Sequence, residues 1–165
     1  MTAPNMDLTR PTWARAETKT LALAAALQGS ADPSAALPLI MGEWLTPAGN
    51  LLARPGTGAN VEVTVPLFPY INQQGDVGVQ SLLKGSVIVG PYEAWTLLWD
   101  EATNPPVAYG DNLSIAVMGG ASVWNGYAVM RISAAAGFDV GFAIGIIPTA
   151  TGTGVANRLY FRSNY

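Results

Sequence analysis

Phe138-Asp139-Val140-Gly141-Phe142-Ala143-Ile144-Gly145-Ile146 alternates bulky apolar residues with small or polar ones along its whole length. A period of two is the mark of a β-strand, in which successive side chains point to opposite faces. Here one face carries Phe, Val and Ile and the other almost nothing, and small residues on a strand face mark the close approach of another backbone. The same period recurs on either side. Val61-Glu62-Val63-Thr64-Val65 alternates strictly and is closed by Pro66. Val77–Leu83, Ser86–Val89, Ala94–Trp99, Leu113–Val117 and Leu159–Arg162 read as further short strands, separated by Gly85, Gly90-Pro91 and other breakers.

The turns agree with a β fold. Val123-Trp124-Asn125-Gly126-Tyr127 carries the Asn-Gly signal of a two-residue type I′ hairpin, which would set Trp124 opposite Tyr127 as a cross-strand pair. Pro47–Asn50, Arg54–Gly56, Asn104–Pro106 and Thr151–Gly154 read as loops. Many short strands with Gly and Pro turns predict an all-β chain, a small barrel or sandwich. A faint internal repeat is also present. Met41-Gly42-Glu43-Trp44-Leu45-Thr46 aligns with Tyr109-Gly110-Asp111-Asn112-Leu113-Ser114, and Asp76-Val77-Gly78-Val79 aligns with Asp139-Val140-Gly141-Phe142 in the same order. The hypothesis it raises is a body made of two related β-modules.

The N-terminal stretch is different. Met1–Arg15 has Pro4 and Pro11, no period and little to bury besides Trp13, so residues 1–30 are read as an extended arm and residues 31–165 as a β-rich body. Trp13 between Arg10 and Arg15 suits an anchor on a partner surface, since Trp and Arg are enriched at interface hot spots. The alternative is a Trp13 folded back on its own domain. Residues 14–28 combine helix propensity with the alternation of Leu21, Leu23, Ala25 and Leu27, which leaves helix and strand both open. Lys19–Ala31 imitates a secretory leader, but Asp7 and Glu17 stand where one needs positive charge. No apolar run approaches the roughly 20 residues that span a bilayer, so a soluble chain is expected.

Composition narrows the chemistry. The chain has 165 residues, no Cys and no His. Disulfides, thiolate chemistry and the commonest general base and metal ligand are thereby removed. Eight Lys and Arg against eleven Asp and Glu leave a net charge of −3, with no basic field to draw nucleic acid. A folded chain of this size exposes on the order of 7,800 Å², so each charge serves about 400 Å². So neutral a surface points to a chain that buries area in an assembly. A neutral monomer kept soluble by hydroxyls and amides is the other reading.

No motif argues for catalysis. Ser81-Leu82-Leu83-Lys84 matches the Ser-x-x-Lys pattern of penicillin-recognising enzymes, but its context reads as a strand and the companion elements are missing. Gly152-Thr153-Gly154 begins like a phosphate loop without the later glycine or a following helix. Asp100-Glu101 reads as a solvated turn before it reads as half of a carboxylate pair. Trp95 and Trp99 share a face in either secondary structure, with Tyr92 close by in sequence. They are core aromatics or, in the sharper reading, a sugar-stacking platform.

Gly42-Glu43-Trp44-Leu45, Gly110-Asp111-Asn112-Leu113 and Asp139–Gly145 followed by Leu159-Tyr160-Phe161-Arg162 give the chain its family likeness. The first two look like the strand openings, and the last like the closing strands, of bacteriophage head decoration (capsid cement) proteins, which this chain resembles over about half its length. The segment Gly85–Pro106 has no counterpart in that pattern. The resemblance implies a non-enzymatic virion protein without cofactor or metal, on the outer surface of the capsid. Its partners would be the major capsid protein and itself, with a homotrimer favoured, and neither nucleic acid nor membrane. Arg10, Trp13 and Arg15 would then lie on the shell. The competing expectations are a carbohydrate-binding or adhesive module built on Tyr92, Trp95 and Trp99, and a tail or fibre subunit.

Overall fold

The computed structural model describes residues 6–10, 16–57, 61, 65–101, 107–132, 140–151 and 154–164. They form β1 (Met6–Arg10), β2 (Glu17–Leu23), α1 (Ala25–Gln28), β3 (Trp44–Ala48), β4 (Leu51–Ala53), β5 (Phe68–Pro69), α2 (Val77–Leu82), β6 (Lys84–Val89), β7 (Glu93–Thr96), β8 (Asn112–Val117), β9 (Ala128–Ile132), β10 (Gly141–Thr151) and β11 (Gly154–Ser163). The chain is all-β, with sheet orders β5-β3-β4-β2-β6 and β1-β7-β11-β10-β8-β9.

Each sheet closes on itself. In the first, a Tyr70–Val87 bridge joins the end of β5 to β6, and the Ile71 N–H donates to the Ser86 carbonyl at 3.0 Å. In the second, the chain leaving β7 returns to β9 through a parallel Trp99–Met130 bridge. The result is two five-stranded rings in tandem, β2–β6 and β7–β11, with the same connections. In both, the first strand runs antiparallel to the last and parallel to the third. The second strand makes hairpin pairs with the third and antiparallel pairs with the fourth. Closure reduces the open edges that invite pairing between chains, with β1 lying outside the second ring as an edge strand on β7.

The repeat seen in sequence is the opening turn of β3 and of β8. Glu43 N–H donates to Ile40 O and Asp111 N–H to Ala108 O, both at 3.2 Å. Each acid reaches back to the turn's first residue, Glu43 Oε1 accepting from Ile40 N–H at 3.0 Å and Asp111 Oδ2 from Ala108 N–H at 2.7 Å. Gly42 and Gly110 hold φ of 96° and 89°, which a side chain would resist. Gly42 then pairs with Tyr70 as Gly110 pairs with Ala143, each N–H to carbonyl at 2.8 Å. The second sequence match does not extend the repeat. Asp76–Val79 opens a helix, whereas Gly141 and Phe142 lie in β10 and Asp139 lies outside the described residues.

Period two sorts the apolar residues. Leu45 and Val87 face the interior of the first ring, with Leu23, Leu52 and Tyr70. Their neighbours Trp44 and Ile88 face outward and join the cluster that fills the second ring, with Leu113, Ile115, Met130 and Phe161. Trp44 is 2% exposed, and full burial of so large a side chain stabilises by roughly 1.5–3 kcal/mol. The rings therefore pack through the outer wall of the first.

Several sequence expectations are corrected. Val77–Leu83 is not a strand: Val77–Leu82 is helix, because the Asp76 carboxylate accepts from the Gly78 and Val79 N–H groups at 2.8 and 3.4 Å and caps it. The Asn125-Gly126 turn is not a two-residue hairpin. Only Gly126 has positive φ there, the β8–β9 loop runs from Met118 to Tyr127, and Tyr127 N–H bonds back to Trp124 O across the turn. The tight hairpin lies at Gly49-Asn50 instead, between the Ala48–Leu51 pair, inside a stretch read as loop. Val65 N–H donates to Val61 O at 3.3 Å, a helical-type contact at odds with a strand, while Glu62–Thr64 lie outside the described residues.

In β10 the alternation breaks at a bulge between Ala143 and Gly145. Before it the small residues Gly141 and Ala143 are buried, and after it Ile146 packs on the core opposite Leu159. A Cβ on Gly141 would stand 2.1 Å from the Arg162 carbonyl oxygen, which is the close backbone approach the small face announced. The arm also needs redrawing. Residues 14–28 contain both a strand and a helical turn, and Leu23, Leu27 and Ala31 are buried in the first ring, so residues 17–31 belong to the body. Met6–Arg10 is a strand on the edge of β7.

Candidate functional site

Of the residues expected on a partner surface, Arg10 ends β1 in register with Glu93. Trp13 and Arg15 lie outside the described residues. The aromatic platform does not form. Tyr92 is fully buried, edge-on to Phe161 at 5.9 Å, and Trp99 is 2% exposed with its indole N–H donating to Asn157 O at 2.9 Å. Trp95 points the other way from its neighbour Ala94, which lies in the second ring's core, and the Arg158 guanidinium covers its ring at 3.8 Å. Three rings on two faces, all closed off, offer no stacking surface to a sugar.

The other motifs also resolve. Ser81 and Lys84 are exposed, at the end of α2 and the start of β6. Thr151 and Gly154 pair across the β10–β11 hairpin, and a strand follows Gly154, so no helix start is there to receive a phosphate; Gly152 and Thr153 lie outside the described residues. Asp100 is buried, its N–H donating to Met130 O at 2.8 Å, which corrects the solvated-turn reading, while Glu101 is exposed. No three potential metal ligands converge among the described residues.

A site that the sequence did not announce lies at the end of the second ring. Thr96 Oγ1 accepts the Leu98 N–H at 3.0 Å and ends β7, turning the chain toward β9. The long β8–β9 loop stands opposite. Between them is a cleft of about 800 Å³. Leu97, Met118, Val123, Trp124 and the nearly buried Trp99 form its apolar wall, and Asp100, Glu101 and Asn157 its polar one. The Asn157 amide donates to Glu101 and orients that carboxylate. The sequence had marked its parts separately, Asp100-Glu101 as an acidic turn, Trp99 as an aromatic and the Asn-Gly turn as a loop whose length it misjudged, without bringing them together.

The second polar cluster is internal. Arg54 binds both oxygens of the fully buried Glu43, at 2.9 and 3.2 Å, and also Ser30 Oγ and the Leu37 and Pro38 carbonyls. Tyr127 donates to Pro38 O at 2.8 Å, and its ring lies 5.3 Å from the guanidinium. Burial pushes the Glu43 carboxyl above its ordinary range, and Arg54 offsets this only in part. The cluster ties β3, β4 and residues 30–40 to the β8–β9 loop of the other ring. Comparison with family models, curated proteins and solved structures finds no match for this chain.

Proposed function

We propose that this chain is a non-enzymatic structural protein of a virion, a decoration or cement protein seated on the outside of a phage head where capsid subunits meet. The observation that carries the reading is the outer surface. The folded chain exposes 8325 Å², and three of its few carboxylates, Glu43, Glu93 and Asp100, are buried. Exposed apolar groups replace charge on it: Val123 is 87% exposed, Tyr109 77%, Val77 73% and Leu82 65%. Such a surface suits a protein that stays in contact with neighbours over several faces. Packaged DNA pushes capsid subunits apart, and a knob bridging them adds area that must be lost before they separate. Many copies, each weakly held, supply that strength through multivalency.

In this reading the N-terminal residues reach the shell and the two-ring body supplies contacts between copies, a cyclic trimer being the favoured form. The test is co-sedimentation with shells assembled from phage major capsid proteins, together with light scattering over a dilution series. Saturable binding, and a mass three times that of the chain that resists dilution, are expected. Deleting residues 1–15 should abolish shell binding and leave the oligomer intact. A full-length protein that never sediments with shells overturns the proposal.

A further inference from the structure

We infer that the cleft beside Trp124 takes a basic side chain, Arg or Lys, presented by a peptide segment with apolar neighbours. This goes beyond the shell reading, since it concerns the chemistry the cleft accepts whichever protein presents it. Among the described residues its lining holds two carboxylates and no cation. An anion would be repelled by Glu101, the exposed carboxylate of the two. A pyranose needs an open aromatic face, and Trp99 is 2% exposed, leaving half-buried Trp124 alone.

A guanidinium or ammonium satisfies both walls at once, lying against the indole of Trp124 with its charge toward Glu101. The apolar neighbours of that cation would cover Met118 and Val123, the latter 87% exposed. The molecule already uses this chemistry twice, with Arg158 over Trp95 and Arg54 over Tyr127. Asn157 holds the Glu101 carboxylate in place beforehand, which lowers the ordering cost of binding.

The experiment is a titration of the full chain with acetyl-Leu-Arg-Leu-amide, following the Trp124 indole N–H by NMR. Saturable shifts confined to Trp124, Met118 and Glu101 are expected at millimolar peptide, weakening as salt is added. Glu101→Gln should lower the affinity about fivefold, the worth of roughly one exposed ion pair. Trp124→Ala, followed through the Met118 and Glu101 shifts instead, should abolish it. Glu101 is exposed, so its variant folds and keeps the test decisive even if Trp124→Ala does not. Equal binding of acetyl-Leu-Glu-Leu-amide, shifts produced instead by a neutral oligosaccharide, or no shift with any peptide would each overturn the inference. None of these outcomes depends on whether the protein binds a shell.

Discussion

The two rings follow one path and solve different problems with it. In the first, the second and third strands are joined by Gly49-Asn50 alone; in the second, the same connection runs from Met118 to Tyr127 and forms a cleft. The opening turns share their hydrogen bonds, yet Glu43 is buried and locked to Arg54, whereas Asp111 is half-buried and serves its own turn. Interior volume is redistributed as well. Tyr70 and Gly85 fill the first ring where pairing places Ala143 and Leu159 in the second, so the large and small residues have changed strands. The first strand's outer half is exposed in β2 and buried in β7, whose edge β1 covers. A shared backbone thus leaves loop length, charge and edge cover free to diverge.

The largest expected effect separates the rings from each other. Trp44→Ala removes the first ring's main contact with the second and should cost about 3–5 kcal/mol in urea unfolding, with loss of a single transition. Unchanged cooperativity would mean that the rings do not depend on this wall. Arg54→Met should cost about 3 kcal/mol, because Glu43 is left buried without a cation. Asp111→Asn, at the equivalent turn, should change the melting temperature little, and equal losses at the two turns would erase the contrast drawn between them.

Gly85→Ala places a Cβ 2.9 Å from the Tyr70 ring and should cost about 1–3 kcal/mol through overpacking. Exchanging the pair, Gly85→Leu with Tyr70→Ala, imports the second ring's solution and should unfold at higher urea than Gly85→Leu alone. Asp76→Ala removes the α2 cap, which has no counterpart among the described residues of the other ring, for about 1 kcal/mol. The smallest effect is one of pH. Above the ordinary value of 4.5 an unfolded Glu43 has lost its proton while the buried one retains it, so stability falls as pH rises until the buried carboxyl also ionises. Glu43→Gln should lack that fall in a series of urea midpoints.

What was legible in the sequence was whatever rested on period two. The strands at Ser86–Val89, Leu113–Val117 and Leu159–Arg162 needed only alternation, and the Gly-acid repeat correctly marked the starts of β3 and β8. Val77–Leu82 misled because valine and leucine suit a strand, while the deciding group, the Asp76 carboxylate, acts through backbone N–H groups that no apolar pattern reveals. The common path of the two rings was largely hidden for a related reason. Ring closure is a property of hydrogen bonding, and Tyr70 with Gly85 does the work of Ala143 with Leu159 without any shared letter. The cleft was illegible because its walls, Leu97–Glu101 and the β8–β9 loop, come from distant stretches that meet only when Trp99 bridges Met130.

The parallel seam between β2 and β4, sealed on the other side by β6, also governs the order of events at the ribosome. Leu21 and Leu23 emerge early, but Glu17–Ala22 finds its antiparallel partner only once Lys84–Val89 has left the exit tunnel. Until then β2 waits with one edge of its backbone unpaired and Leu21 uncovered, the kind of interval in which nascent chains associate wrongly. The second ring meets the same delay, β7 waiting for β11. Synthesis of this protein therefore proceeds as two successive closures, and the first ring is able to shut before β11, the last strand of the second, has emerged.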